Sequence, residues 1–166
     1  MATIDMTNGT AGFASLGSAK PVLVERYVNM ATAITTKGSA LASGDVIECI
    51  DLPKGTIVLA AGAQVDTVFA GTSTDTSFEL GITGGDIDRW VDAFDFDGAA
   101  VNAYATQGVA GYEPFLVTAA DTMDWVITAM TGTCTAGVLR TWAVIMDVNG
   151  KATPGIANPG DVTAGS

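Results

Sequence analysis

The pattern that most restricts the fold of this chain is a period of two. Phe78, Leu80 and Ile82 alternate with Ser77, Glu79 and Gly81. In an extended backbone such alternation puts the apolar side chains on one face and the polar ones on the other. Trp125, Ile127 and Ala129 alternate with Asp124, Val126 and Thr128, and a weaker case runs from Gln64 to Phe69. Val46 to Leu52 and Ile57 to Ala61 are short apolar runs, bounded by Ser43-Gly44-Asp45, Pro53-Lys54-Gly55 and Gly62. Val22 to Met30, Tyr112 to Thr118 and Gly137 to Val148 complete the set. The last of these is the most apolar, and it reads as a central strand covered on both faces. Short strands separated by glycine-rich turns predict an all-β fold of two packed sheets, a jelly roll first and an immunoglobulin-like sandwich as the alternative.

One segment departs from the alternation. Ile87, Trp90, Val91 and Phe94 recur at helical spacing, with Asp86 placed to cap and Asp88 in the first turn. This predicts one short helix, Ile87 to Phe94, packed over an end of the sandwich. Residues 1–20 and 149–166 are small, polar and rich in turn formers, and read as flexible N- and C-terminal arms around a core of residues 21–148. Residues 98–111 read as a long loop or β-excursion.

Only 15% of the 166 residues are charged, and eighteen acidic against seven basic residues give a net charge of −11. So few charges leave an apolar-rich chain short of polar groups to cover its own surface, which points to burial against other copies or a partner. The acidic balance argues against nucleic acid, whose phosphates need a basic patch, and against anionic membranes. No apolar run approaches the roughly 18 residues of a membrane span, and the first residues lack the basic start of a secretory signal. The chain is expected to be soluble.

Histidine is absent, which removes the usual base for a serine or cysteine nucleophile. Ser39 near Lys37 and Ser18 near Lys20 read as ordinary loop residues. Cys49 and Cys134 lie in apolar segments and read as buried reduced thiols, with a long-range disulfide as the other possibility. No catalytic residue and no cofactor are expected. The densest polar cluster is Asp86, Asp88, Asp92, Asp95 and Asp97. As chemistry it is a weak calcium candidate through oxygen ligands; as plain structure it is a helix cap followed by a solvated acidic rim. The EF-hand pattern fails, because Trp90 and Val91 stand where a ligand and a glycine belong. Gly81, Gly84 and Gly85 read as turn formers rather than a phosphate loop, since no lysine follows. Trp90, Trp125 and Trp142 fall at core-facing positions of the predicted elements and read as packing residues more readily than as sugar platforms.

The stretches Gly38 to Ala60 and Gly71 to Asp88 share a texture. A strand ends in Asp51-Leu52-Pro53, a Gly/Ala run follows, and a Thr-rich turn leads into Phe78-Glu79-Leu80-Gly81. With the closing strand Gly137 to Asp147, this resembles virion structural proteins of tailed bacteriophages, marine and cyanobacterial phages in particular, and among them the head decoration or cement proteins. The resemblance implies a β-sandwich that forms a homotrimer on the capsid exterior and binds the major capsid protein through one end or a terminal arm. It supplies no catalytic motif. On this reading residues 1–20 meet the capsid and residues 98–111 the neighbouring subunit. A phage tail or fibre module, or a carbohydrate-binding sandwich, is the alternative.

Overall fold

The computed structural model describes residues 3–5, 20–105 and 114–148. These form ten strands and one helix: β1 (Thr3–Asp5), β2 (Val22–Asn29), α1 (Met30–Lys37), β3 (Val46–Leu52), β4 (Thr56–Gly71), β5 (Asp75–Gly81), β6 (Val91–Phe94), β7 (Tyr104–Ala105), β8 (Phe115–Leu116), β9 (Asp121–Thr131) and β10 (Cys134–Asp147). The first sheet has the order β1-β3-β9-β5-β6 and the second β2-β10-β4-β7, with β8 also paired to β4. Leaving aside β1 and β8, the chain crosses between sheets at every connection except β5 to β6. That wiring of eight strands is the double Greek key of a jelly roll. Among the described residues no helix is long and apolar enough to cross a membrane.

Strand alternation explains the core. Thr76, Phe78 and Leu80 of β5 point inward, as do Leu139, Thr141, Ala143 and Ile145 of β10. Between the sheets Phe96 meets Phe69, Phe78 and Phe94, with ring centroids 5.6, 5.7 and 6.2 Å away. Trp125 of β9 donates its indole N–H to the Thr141 hydroxyl of β10 at 2.7 Å, a buried hydrogen bond from one sheet to the other. The two corners where the chain changes sheets, β4 to β5 and β9 to β10, clasp each other. Thr72 N–H donates to the Thr133 carbonyl at 2.9 Å, and a Cβ on Gly132 would stand 2.7 Å from the Thr72 carbonyl oxygen. With φ at +99° as well, position 132 admits only glycine without strain.

The structure revises four expectations. Ile87 to Phe94 is not a helix: it is a turn followed by β6. Val91 lies opposite Leu80 and Phe94 opposite Phe78, with a register shift between Phe78 and Leu80. Two residues separate the inward pair on β6 where one suffices on β5, and Ala93 takes up the excess at φ +47°. A helical spacing was therefore written by a bulged strand. The helix lies instead at Met30–Lys37, where Asn29 caps Thr32 N–H at 3.2 Å and Gly38 N–H closes on the Ile34 carbonyl at 2.9 Å. The two apolar segments on either side of Gly62 are one sixteen-residue strand, β4. Finally, β10 is central but not covered on both faces, because its outer residues are only half-buried.

Of residues 1–20, Thr3–Asp5 form a strand paired in parallel with Val46–Glu48. Most of that proposed arm, the tail 149–166 and residues 106–113 lie outside the described residues.

Candidate functional site

The two sheets turn very different outer faces to their surroundings. Strands β3, β5, β6 and β9 carry Glu48, Asp51, Asp75, Glu79, Asp92, Asp121 and Asp124, and no lysine or arginine. Registers place Glu48 opposite Asp124, Asp51 opposite Thr122 and Glu79 opposite Val126 on the outward side. The first sheet is thus an acidic face.

The second sheet is the opposite. Its register sets Leu23 beside Val144 and Ala60, Glu25 beside Trp142 and Gly62, and Tyr27 beside Arg140 and Gln64. Tyr104 of β7 continues the last row beyond Gln64, and Leu116 of β8 lies beside Ile57 and Met146. Leu23, Tyr27, Tyr104 and Leu116 are 55%, 53%, 67% and 47% exposed, an unusual concentration of large apolar side chains on one face. Trp142 sits at its centre, half-buried and pointing outward, so it is not the core residue the sequence reading made it. A single polar line crosses the face. Arg140 is ion-paired with Glu25, donating from Nε at 2.9 Å, and it donates to Gln64 Oε1 at 3.2 Å. Gln64 Nε2 donates in turn to Asn102 Oδ1 at 3.4 Å. Arginine and glutamate cancel, so the middle of the face is electrically neutral in a strongly acidic chain.

The acidic residues singled out from the sequence separate into three places. Asp86 pairs with Arg89 at 3.3 Å, and Arg89 also lies 4.2 Å over the Phe115 ring. Asp92 projects outward from β6. Asp95 and Asp97 belong to a turn organised by Thr76, whose hydroxyl accepts from Phe96 N–H at 2.9 Å and Asp97 N–H at 3.0 Å, while Asp95 Oδ1 accepts from Gly98 N–H at 3.0 Å. Among the described residues, no three His, Cys, Asp or Glu side chains are gathered to hold a metal ion. Gly81 lets this segment fold tightly back, since a Cβ there would stand 2.1 Å from the Asp86 carbonyl oxygen.

Cys49 and Cys134 are free and buried. Burial, helped by the charge of Asp124, raises the Cys49 thiol well above its usual range, and burial pushes Cys134 up to about 11. Neither is a ready nucleophile. Trp90 is 1% and Trp125 0% exposed, so both are packing residues.

Three carboxylates, Asp124, Glu79 and Asp86, hold their protons more tightly than usual. Burial raises Asp124 and Glu79, and Asp86 is raised by a hydrogen bond with Asp88 and then by burial. A carboxyl whose pKa is higher in the folded state binds more protons there than when unfolded, so stability rises as pH falls. This contribution is complete below the unfolded value of about 4 and is lost as pH climbs through the raised folded values. Melting temperature should therefore be higher at pH 5 than at pH 8, and Asp124→Asn should flatten the slope. A melting temperature that falls steadily from pH 8 to pH 5 would contradict this account.

No family model matches the chain, and no curated protein matches it. Solved structures do. A chain in the capsid of Ralstonia phage GP4 is similar over 78% of this chain and 86% of its own, with a TM-score of 0.57 and 17% identity. One in the capsid asymmetric unit of cyanophage Pam1 is similar over 78% and 88%, with a TM-score of 0.51 and 20% identity. A chain of the acidic stable capsid of Helicobacter pylori bacteriophage KHP30 aligns over 74% and 87%, with a TM-score of 0.46 and 15% identity. The first two likenesses show that this jelly roll is a fold found in phage capsids.

Proposed function

We propose that this chain is a non-enzymatic virion structural protein that decorates the exterior of a tailed-phage capsid, as a homotrimer bound to the major capsid protein. The observation that carries the reading is the pairing of one acidic sheet with one apolar sheet, neutral across its middle, on a jelly-roll core. A cement protein needs a surface that adheres and another that stays hydrated and keeps free subunits apart. The fold likeness to chains from two phage capsids supports the same reading. Several modest contacts to a repeating shell add up through avidity, so no single deep pocket is required.

The test is reconstitution. Purified protein added to capsids that lack it should appear as regular density on the outer shell in electron micrographs and should raise the temperature at which the shells rupture. Deleting residues 1–20 should weaken capsid docking at least tenfold and leave the oligomer intact. Equal occupancy by full-length and shortened protein would remove the arm from the contact, and absence from the shell would remove the decoration reading.

The half-buried, outward Trp142 favours a second reading, a carbohydrate-binding module of a tail or fibre, because a flat aromatic can stack on a sugar ring. Retained glycan-array binding after Trp142→Ala would eliminate it.

A further inference from the structure

We propose that the outer face of the second sheet is the contact between copies of this chain, with the acidic first sheet left outward in the assembly. The inference rests on the homo-oligomer reading above and adds to it the face that carries the contact.

Charge selects the occupant. Each copy carries −11, so any two copies repel unless their contact avoids the carboxylates. The first sheet cannot serve, since its strands β3, β5, β6 and β9 hold seven acidic and no basic residues (Glu48, Asp51, Asp75, Glu79, Asp92, Asp121 and Asp124). Facing two such surfaces would bring like charges within a screening length of about 8 Å. Across its middle the second sheet carries one Glu25–Arg140 pair, already neutralised within the chain, and the exposed Asp66 lies away from that middle, toward the far end of β4. Copies can therefore meet over that middle without bringing unpaired carboxylates together.

The area is sufficient as well. Strands β2 and β10 pair over eight residues. Three strands over that length, with the two residues each of β7 and β8 beside β4, make a flat face of roughly 440 Å² per copy at about 4.8 Å spacing and about 3.3 Å per residue. Around a three-fold axis the Leu23 and Tyr27 margin of one copy meets the Tyr104 and Leu116 margin of the next, and three such faces bring together roughly 1,300 Å² before side-chain relief is counted. The chemistry of the face also fits. Its exposed large residues, Leu23 and Tyr27 on one margin and Tyr104 and Leu116 on the other, flank the half-buried Trp142. Tyrosine and tryptophan are the residues that most often anchor protein interfaces.

Sedimentation equilibrium of the full chain from 1 to 100 µM tests the proposal, with Leu23→Glu and Tyr104→Glu as variants and Glu79→Gln on the acidic face as control. Leu23 and Tyr104 are more than half exposed, so either substitution should spare the fold, and near-ultraviolet circular dichroism checks this for each. The expected result is an oligomer for the parent and the control, and at least tenfold weaker self-association for both face variants. Should one variant fail to fold, the other decides. Unchanged mass in a folded variant overturns the assignment of the face while leaving a homo-oligomer in place. A monomeric parent at 100 µM overturns it too. In that case capsid binding by the monomer separates loss of the oligomer from loss of the decoration reading, and the apolar face would then belong to the shell.

Discussion

Truncating Trp125 to alanine lowers the unfolding free energy by about 3–5 kcal/mol, the range for removing a large buried aromatic. The side chain is 0% exposed and lies edge-on to Phe78 and tilted against Phe94, with centroids 6.3 and 6.4 Å away. Its loss empties the centre of the sandwich and also removes the donor to Thr141. Trp125→Phe separates the two effects. The ring volume mostly stays and the N–H goes, leaving the buried Thr141 hydroxyl without that partner at a cost of about 1–3 kcal/mol. Urea titrations of the three proteins read both differences. A loss below about 1 kcal/mol for the alanine variant would mean that the sheets are not joined here, since such a value belongs to surface positions.

The elements that were legible in the sequence share one property: a strand with one face in the core and one outside. Phe78 and Leu80 alternate with Ser77 and Glu79, and β5 follows directly. The misplaced helix shows where this logic stops. Val91 and Phe94 are spaced for a helix only because Ala93 sits in a bulge, and a bulge leaves the same mark on a sequence as a helical turn. The true helix was hidden for a related reason. Of its residues only Met30 and Ala33 are buried, too few to write a stripe, and its end is held by Lys37, which bonds to the later loop residue Asp45. Gly62 was read as a boundary because an isolated glycine usually weakens a strand. In β4 it lies opposite Trp142 on the outer face.

The candidate face was legible only as a deficit. A charge content of 15% says that some surface must be apolar, but not which one. Both sides of β10 are rich in apolar residues, so the periodicity could not separate Trp142 and Val144 from Leu139 and Ile145. Only the register against β2 and β4 assigns the first pair to the outside. Similarly, Arg140 and Glu25 are 115 positions apart, and nothing in the chain announces that they cancel. The partition of acid onto one sheet is equally a product of topology. The carboxylates are spread from Glu48 to Asp124, and the jelly-roll wiring gathers their strands into one layer.

Asp45 is the charge whose removal should cost most. It is 3% exposed overall, and its carboxylate is bonded to Lys37 Nζ and accepts Ala42 N–H at 2.9 Å. Lys37 also donates to the Ala40 carbonyl at 2.7 Å, so the pair ties the end of α1 to the loop that starts β3. Asp45→Ala leaves a largely buried ammonium without its counter-ion, and breaking such a pair from one side costs about 3–5 kcal/mol. The energy lies mainly in the stranded charge, not in the attraction itself. Lys37→Met with Asp45→Leu removes both charges, and it should recover more than half of the loss, because desolvation offsets much of what a buried pair gains. A double-mutant cycle in urea measures the coupling directly. If Asp45→Ala and the double variant lost equal stability, the pair would be acting through the Ala42 hydrogen bond alone, and the anchoring of α1 would rest on the loop backbone instead of on charge.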